Sequence, residues 1–403
     1  MAPRPPRSLI IVSRDYGELG LACSLLHGQR LAREATLLLP GSLYFENERN
    51  LPVNAYPYSK ARDIREVVAA TRPELVFLLS GYLLSNDGLL SPGAVEELVE
   101  HLEESGATLL TSDPFLGMAA NLDLGQVDME MLVARYPRWY RPLLRLLLRI
   151  RSRGGVELCA VPALRRLIHL YPTAVPRAEG LPEARRLSVF NPIPVLPAGN
   201  RGDERLAGEG EAHGGEATPP RWLFLLSSAD LHGQSVQTGL LDFLDLLVAR
   251  LADAVELGRR PSVIGSQRLA ELLAGRVPDE VELVSTCSFA DFTQRLLEAE
   301  FAFYWNAFSH SVLLRVANGL PVFLFDRGHL AQTVAPFQAA ALACHFAGIG
   351  LPELDQREPL DADDLAQRAS AAAGDLRAIL AHWLASPTPD ELGALLQAER
   401  AEA

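Results

Sequence analysis

Two short polar stretches late in the chain carry side chains that could bind an anion. The candidate residues are Asn306, Ser309, His310 and Ser311 in the first stretch, and Asp326, Arg327 and His329 in the second. Hydroxyl, imidazole and guanidinium groups donate hydrogen bonds to phosphate oxygens, and backbone N–H groups at a helix N-terminus do the same. This set of donors suits a nucleoside diphosphate. The alternative is that the serines only cap a helix and that Asp326 only turns a loop.

Two predicted strands and one helix must position these stretches. Phe301 to Trp305 and Val322 to Phe325 are short apolar and aromatic runs typical of buried strands. Between them the sequence predicts a helix that Ser309 caps and that Gly319 and Pro321 end. A strand, a helix and a strand so closely spaced form a right-handed unit with parallel strands. The loops at the carboxyl ends of the two strands should therefore meet.

A third loop is predicted to follow another buried strand, which starts at Trp222. Ser227 and Ser228 lie in this loop, and we include both in the candidate phosphate-binding set. The rest of this half also alternates between helices and strands. Helices are predicted at Val236 to Leu251, Arg268 to Leu273 and Ala290 to Ala299, and strands at residues 262–266 and 281–284.

The N-terminal half shows the same alternation, which predicts a parallel sheet covered on both faces. Strands are predicted at Leu9 to Val12 and at residues 36–40, 75–84 and 107–115, with further strands at Glu157 to Val161 and Leu187 to Phe190. Helices are predicted at Leu19 to Leu31, Ile64 to Thr71 and Gly93 to Ser105, with a polar loop over residues 13–18.

Three carboxylates follow predicted strands of this half and are candidate general bases. They are Asp15, Glu18 and Asp113. Each also has a structural explanation, because Asp15 and Glu18 could cap the first helix and Asp113 could set a turn before Pro114.

The chain is long enough for two domains, since 403 residues exceed one ordinary core. Residues 197–220 are rich in Gly, Glu, Ala and Pro, which indicates a linker. We therefore predict an N-terminal domain over residues 1–196 and a C-terminal domain over residues 221–375. Residues 376–403 are predicted to form helices that pack back on the N-terminal domain.

Composition argues against several classes of protein. The net charge of −13 disfavours a nucleic-acid binder. The four cysteines are far apart, with no CxxC pair and no metal-ligand spacing, so we expect neither disulfides nor a metal site. We expect a cytoplasmic bacterial protein, because there is no signal segment, no apolar run of membrane-spanning length, and an arginine bias typical of GC-rich genomes.

The segment from Arg135 to Arg153 differs from its surroundings. It contains seven arginines together with a leucine stripe, and Arg141, Arg145 and Arg149 recur every four residues, so that they share one face of a helix. Such a helix could lie on anionic lipid, at the inner face of a membrane, or hold an anionic acceptor. The alternative, which we favour slightly, is a surface helix whose arginines pair with acidic residues elsewhere.

The two Rossmann-like halves, the Asn191-Pro192-Ile193-Pro194 turn and the late phosphate-facing helix resemble the GT-B fold of nucleotide-sugar glycosyltransferases. That fold is α/β, with two Rossmann-like parallel-sheet domains facing across a cleft. The pattern is most similar to inverting lipid-linked N-acetylglucosaminyl transferases, in which a small hydroxyl residue contacts the donor phosphates and Gly-x-Pro ends the helix. Ser311 and Gly319-Leu320-Pro321 occupy those places. The sequence departs at Leu314, where those enzymes carry a Glu for the nucleotide ribose.

The resemblance implies a metal-independent, inverting glycosyltransferase. Its donor would be a nucleotide-sugar co-substrate bound by the C-terminal domain, and no other cofactor would be needed. The N-terminal domain would bind the acceptor, which the sequence does not identify. Three alternatives stay open. One is a sugar-nucleotide epimerase or hydrolase on the same fold. Another is a polysaccharide pyruvyl transferase, which Arg315 supports, and the third is a non-catalytic binding or partner protein, which the missing ribose Glu favours.

Overall fold

The computed structural model describes residues 7–13, 16–28, 35–48, 51, 54–81, 83–86, 89–112, 128–134, 136–151, 161–172, 186–190, 219–328 and 346–385. These residues form two compact α/β units. The first consists mainly of the described residues up to Phe190, and the second mainly of those from Pro219 onwards. Each unit contains one sheet, and every strand pairing in both sheets is parallel.

The first unit contains a seven-stranded sheet in the order β3-β2-β1-β4-β5-β6-β7. Its strands are β1 (Ser8–Ile11), β2 (Ala35–Pro40), β3 (Asn54–Tyr58), β4 (Leu75–Leu79), β5 (Thr108–Ser112), β6 (Ile168–Pro172) and β7 (Arg186–Phe190). Strands β1 and β4 are buried along their whole length, as expected for strands covered on both faces.

The helices of this unit follow the strands in the alternation that the sequence predicts. They are α1 (Tyr16–Gly28), α2 (Gly41–Asn47), α3 (Ala61–Thr71), α4 (Leu83–Asn86), α5 (Pro92–Glu104), α6 (Met129–Ala134) and α7 (Arg141–Arg151), with a 3₁₀ helix at Pro162–Arg166. Helices α3 and α5 bury apolar stripes against the sheet, including Ile64, Val68, Leu98 and Leu102.

Three predicted boundaries in this unit are wrong. Helix α3 begins at Ala61 rather than at Ile64. Helix α1 begins at Tyr16 rather than at Leu19, so Glu18 lies in its first turn and not in a loop. Strand β4 ends at Leu79 rather than at residue 84, because Ser80 adopts a left-handed backbone conformation with φ of 40° and turns the chain into α4.

The prediction also missed β3, β6, α2, α6 and the 3₁₀ helix. Strand β3 lies at the edge of the sheet, and most of its residues are not buried. Pro57 within it has no N–H to donate, and an edge strand tolerates that loss. A polar, proline-containing run is therefore compatible with this edge even though it does not resemble a buried strand. The strand predicted at Glu157 to Val161 lies outside the described residues except for Val161, which precedes the 3₁₀ helix.

The second unit contains a five-stranded sheet in the order β10-β9-β8-β11-β12. Its strands are β8 (Arg221–Leu226), β9 (Arg260–Gly265), β10 (Glu282–Val284), β11 (Phe301–Tyr304) and β12 (Val322–Leu324). Its helices are α8 (Ser228–Gln237), α9 (Leu240–Glu256), α10 (Gln267–Leu273), α11 (Phe289–Glu298), α12 (His310–Ala317) and α13 (Ala362–Ala385). Aromatic side chains stack across the central strands, with Phe303 4.7 Å from Phe224 and 5.6 Å from Phe323 between ring centroids.

One helix prediction in this unit is wrong. The helix expected from Val236 to Leu251 corresponds mainly to α9, which begins after Gly239, whose φ of 95° favours glycine, and which continues to Glu256. Helix α8 lies mostly where a loop was expected. Apart from α8 and α13, the other strands and helices of the unit lie within two residues of their predicted bounds.

The predicted domain boundaries stay predictions. Residues 197–218 of the proposed linker and residues 386–403 of the proposed terminal segment lie outside the described residues. Helix α13 continues from Ala362 to Ala385 without an interruption at residue 376.

Candidate functional site

Each sheet reverses its strand order beside the first strand of its unit. In the first sheet β1 lies between β2 and β4, and in the second sheet β8 lies between β9 and β11. In open parallel sheets, ligands bind outside the carboxyl ends of the strands at such a reversal. Glu18 follows β1 at the first reversal, whereas the candidate serines and His310 follow β8 and β11 at the second. The candidate residues that the structure describes therefore lie at or beside the positions where this fold binds ligands.

The loops after β11 and β12 meet, which confirms that prediction. The Phe325 amide donates to the Tyr304 carbonyl at 2.8 Å, and the Ala307 amide donates to the Arg327 carbonyl at 3.1 Å. Gly328 has a φ of 99°, and a Cβ atom there would lie only 2.8 Å from Asn306 Oδ1. The close approach of these loops requires glycine at this position. The Asn306 side chain also accepts from the Phe308 amide at 2.9 Å, so it holds the loop that leads into α12.

Ser309 occupies the N-cap position of α12, but its side chain does not cap the helix, and that part of the prediction is wrong. Its hydroxyl instead lies 2.7 Å from Ser311 Oγ. Ser309 bonds to the first turn through its backbone carbonyl, which accepts from the Val312 amide at 3.0 Å. The first amides of a helix have no partner within the helix, and here no Ser309 side chain covers them. The N-terminus of α12 thus keeps the donor capacity and partial positive charge that attract an anion.

Ser311 is almost fully buried, and its hydroxyl lies near another buried hydroxyl, that of Tyr304. Among the described residues, the Tyr304 phenol oxygen has no partner within ordinary hydrogen-bond geometry. Burial raises the pKa of Tyr304 to about 12, so the phenol stays protonated. The structure therefore places Ser311 behind Ser309, where it can orient the Ser309 hydroxyl, and it places Ser309 nearer to solvent.

His310 is the first residue of α12 and is only half-buried. Desolvation lowers the pKa of its imidazole to about 4, so the ring is neutral at pH 7. A neutral imidazole still carries one N–H and can donate one hydrogen bond. His310 is thus a hydrogen-bond donor beside the helix N-terminus and does not contribute a full positive charge.

Asp326 anchors a polar network that the sequence did not predict. Gln234 of α8 donates from Nε2 to Asp326 Oδ2, and Gln356 Nε2 lies 3.4 Å from Gln234 Oε1. Trp305 Nε1 donates to Gln356 Oε1 at 3.1 Å, and the Gly328 amide donates to Asp326 Oδ1 at 3.1 Å. Burial raises the pKa of the Asp326 carboxyl, and the hydrogen bonds from Gly328 and Gln234 offset part of that effect. The network joins the elements that follow β8, β11 and β12, because Asp326 itself follows β12.

Arg327 is predicted to hold donor phosphate, but its guanidinium pairs with Glu353. Arg327 Nε donates to Glu353 Oε1 at 2.6 Å, and both side chains are partly exposed. A phosphate ligand would have to compete with this carboxylate for the arginine. His329, the other basic candidate of this loop, lies outside the described residues.

Ser227 and Ser228 lie where β8 ends and α8 begins. The Ser227 hydroxyl accepts from the Asp230 amide at 3.1 Å, and the Ser227 amide donates to the Asp230 carboxylate at 2.9 Å, which is a complete capping box. The structure thus gives Ser227 a capping role. Ser228 is exposed in the first turn and has its hydroxyl at the surface on this edge of the sheet.

Of the three candidate bases, only Glu18 lies among the described residues, since Asp15 and Asp113 do not. Its carboxylate accepts from the Ser80 hydroxyl at 2.7 Å. Because Ser80 directly follows β4, this bond joins the carboxyl ends of the two strands at the first reversal. The hydroxyl donor fixes the position of the carboxylate.

Arg315 does not face a ligand site, which removes the support that it gave to a pyruvyl transferase. Its side chain is fully buried and donates to four backbone carbonyls, those of Leu296, Ala299, Glu300 and Pro321. Desolvation lowers the pKa of Arg315 to about 10, and the guanidinium is still charged at pH 7. Arg315 joins α12 to the end of α11 and to the start of β12.

Leu314, where the resembling enzymes carry a ribose-binding Glu, is also buried. Ala307, in the loop that leads into α12, is buried as well. In the part of the chain that the structure describes, no group of histidine, cysteine, aspartate or glutamate side chains could hold a metal ion.

Similarity to solved structures identifies the fold. CalG4, the calicheamicin glycosyltransferase, is 16% identical, covers 98% of this chain and 99% of its own, and gives a TM-score of 0.51. The glycosyltransferase of kitacinnamycin is 14% identical over 99% of both chains, also with a TM-score of 0.51. A putative UDP-N-acetylglucosamine 2-epimerase from Listeria monocytogenes is 11% identical over 98% of this chain and 94% of its own, with a TM-score of 0.47.

These identities support a conclusion about the fold alone. The chain has the GT-B fold, and the predicted pair of Rossmann-like parallel-sheet domains is confirmed. No protein-family model matches the sequence, and no curated protein matches it.

Proposed function

We propose that this chain is a nucleotide-sugar-dependent glycosyltransferase that is inverting and metal-independent. In this proposal the second unit binds the donor and the first unit binds the acceptor, whose identity stays open. One observation carries the proposal: the N-terminus of α12 lies at the strand reversal of the second sheet, with its first amides not capped by Ser309. A nucleoside diphosphate is the ligand class that such a helix end favours.

The surrounding side chains suit a diphosphate leaving group. Ser309 and neutral His310 can each donate a hydrogen bond, and the helix dipole adds partial positive charge without a cation. Donors fixed before the reaction stabilise the negative charge that develops on the leaving group. The Asp326 network supports this arrangement by fixing the loops on both sides. Charge stabilisation of this kind does not require a metal ion.

An inverting transfer also needs a base that removes the acceptor proton. We assign this role to one of Asp15, Glu18 and Asp113, all of which follow strands of the first unit in sequence. Glu18 has support from its contact with Ser80 at the first strand reversal. If a tested carboxylate is the base, its replacement by the amide should lower turnover by about 10²–10⁴-fold and leave donor affinity unchanged. Turnover that survives in Asp15→Asn, Glu18→Gln and Asp113→Asn alike would place the base elsewhere.

Product analysis tests the proposal against its alternatives. Thermal-shift screening with UDP-, GDP-, CMP- and dTDP-sugars should first identify a donor that stabilises the protein. Proton NMR of that donor with acceptor extracts then follows the sugar. A new glycoside with inverted anomeric configuration supports the proposal. Free sugar as the sole product would indicate a hydrolase, an isomerised nucleotide-sugar would indicate an epimerase, and an unchanged donor with every acceptor would favour a binding protein.

A further inference from the structure

Helix α7 exposes an apolar face that the glycosyltransferase proposal does not use. Five large apolar side chains on it or just before it are accessible: Trp139 by 81%, Leu143 by 48%, Leu146 by 54%, Leu147 by 46% and Ile150 by 56%. With 3.6 residues per turn, these positions lie on one side of the helix. They form one continuous apolar stripe, and exposed patches of this kind usually mark an interaction surface.

The opposite side of α7 is held by the protein. Arg145 pairs with Glu130 of α6, and Arg141 Nε donates to the Tyr136 carbonyl at 2.8 Å. Leu144 and Leu148 on the same side are partly buried. The helix is therefore fixed with its apolar stripe outward.

The composition around the stripe matches a bilayer surface. The segment from Arg135 to Arg153 contains seven arginines and no acidic residue, although the whole chain has a net charge of −13. Arg138 and Arg149 are exposed beside the stripe. Trp139 packs on Tyr140 with 5.5 Å between ring centroids, and such aromatic side chains favour the headgroup level of a membrane. In the described part of the chain, no helix combines the length and apolar character needed to cross a bilayer.

We propose that α7 and the residues just before it form a docking surface for a bilayer that contains anionic phospholipid. The apolar stripe would enter the headgroup boundary, and the arginines would attract the lipid phosphates. Charge complementarity selects this occupant, because a second copy of the chain would bring the same concentration of arginines to the interface. This inference is independent of the proposed donor site.

Trp139 provides a specific signal for the test, because Trp222, Trp305 and Trp383 are almost fully buried. The full chain is mixed with vesicles of phosphatidylcholine alone, or of phosphatidylcholine with phosphatidylglycerol. We expect co-sedimentation and a blue shift of tryptophan emission only with the anionic vesicles. Added salt should weaken both signals. The Trp139→Phe variant should still sediment but should lose the shift.

Substitutions of exposed residues test the surface without disturbing the core. Leu146→Glu should weaken vesicle binding by about tenfold or more, because it removes apolar contact and adds a negative charge. Arg149→Gln should weaken binding by about fivefold, the effect expected for one basic residue near an anionic surface. Phe45→Ser is the matched control, since Phe45 is 74% exposed on α2 of the same unit and should not affect binding.

Three results would overturn the inference. These are equal binding to neutral and anionic vesicles, no binding to either, or equal losses of binding in Leu146→Glu and Phe45→Ser. Sedimentation velocity without lipid tests the other occupant, a second copy. A dimer that Leu146→Glu dissociates would assign the stripe to self-association instead.

Discussion

Replacing Arg315 by methionine should destabilise the second unit and should not act through a ligand. The guanidinium donates to Pro321 O at 2.9 Å, Leu296 O at 2.5 Å, Ala299 O at 3.0 Å and Glu300 O at 3.1 Å, all in a fully buried position. Methionine fills much of the volume but donates nothing. Each carbonyl that loses a buried partner costs about 1 kcal/mol, so the four together suggest about 3–4 kcal/mol.

Burial of the charged Arg315 guanidinium costs free energy, as its lowered pKa shows. Methionine removes this cost, which offsets part of the loss of stability. A net loss of about 2–3 kcal/mol is therefore expected, a large share of a typical stability of about 5–15 kcal/mol. Urea unfolding followed by tryptophan emission is a suitable assay, because Trp222 and Trp305 lie in the core of this unit. The midpoint should fall by about 1 M or more.

A matched control uses another arginine of the same unit. Arg368 makes a surface ion pair with Asp364 four residues away, and Arg368→Met should cost less than about 0.5 kcal/mol. An Arg315→Met variant with the midpoint of the control and with lost donor affinity would refute the structural role of Arg315. That result would restore the interpretation of Arg315 as a ligand-binding residue.

Two further predictions concern the edge of the second sheet. The pKa of His310 is about 4 in the folded protein, against its ordinary value of 6.5. Between these pH values the unfolded chain therefore binds a proton that the folded chain does not. The free energy of unfolding should fall as pH falls through this window. Urea unfolding at pH 7 and at pH 4.5 measures this loss, and His310→Gln should reduce it by about 1–3 kcal/mol. An equal loss of stability in the variant and the wild type would show that His310 is not the cause. Gly328→Ala should cost about 1–3 kcal/mol and should weaken donor binding, because its φ is 99° and its new Cβ would meet Asn306. Gly275→Ala, with φ of 71° and nothing within 4 Å, should cost about 1 kcal/mol and leave donor binding intact, and equal effects of the two variants would argue against a close loop approach.

Most of the second sheet could be predicted from sequence because its strands are covered on both faces. Strands β8 and β11 are almost continuously apolar, and such runs indicate a buried parallel strand. Strand β3 could not be found in this way, because an edge strand needs no apolar surface on its open side. The break at Gly239 was also missed, since an apolar helical pattern continues on both sides of it.

The place of the site could be predicted, whereas the partners of its side chains could not. Chain topology brings the loops after β11 and β12 together whatever their residues are. The partners of Asp326 and Arg327 are Gln234 and Glu353, and nothing in local sequence links either pair. Ser309 shows the same limit at short range. Its position is that of a cap, but its hydroxyl turns toward Ser311 instead of the helix amides.

Calorimetric titration of a matched pair of serine variants tests the central claim most directly. Ser309 and Ser288 both occupy N-cap positions in the second unit, and the Ser288 side chain accepts from the Asp291 amide. Ser309→Ala loses the hydroxyl contact with Ser311, and Ser288→Ala loses the bond from the Asp291 amide and the bond to the Asp291 carboxylate. Both variants should lose about 1–2 kcal/mol of stability.

The two variants should differ in donor binding. With the nucleotide-sugar that stabilises the wild type, and with a chelator present, Ser309→Ala should bind about tenfold to a hundredfold more weakly, as expected for the loss of one hydrogen bond to phosphate. Ser288→Ala should bind like the wild type. Equal donor affinity in the two variants would contradict the assignment of the N-terminus of α12 as the donor phosphate site.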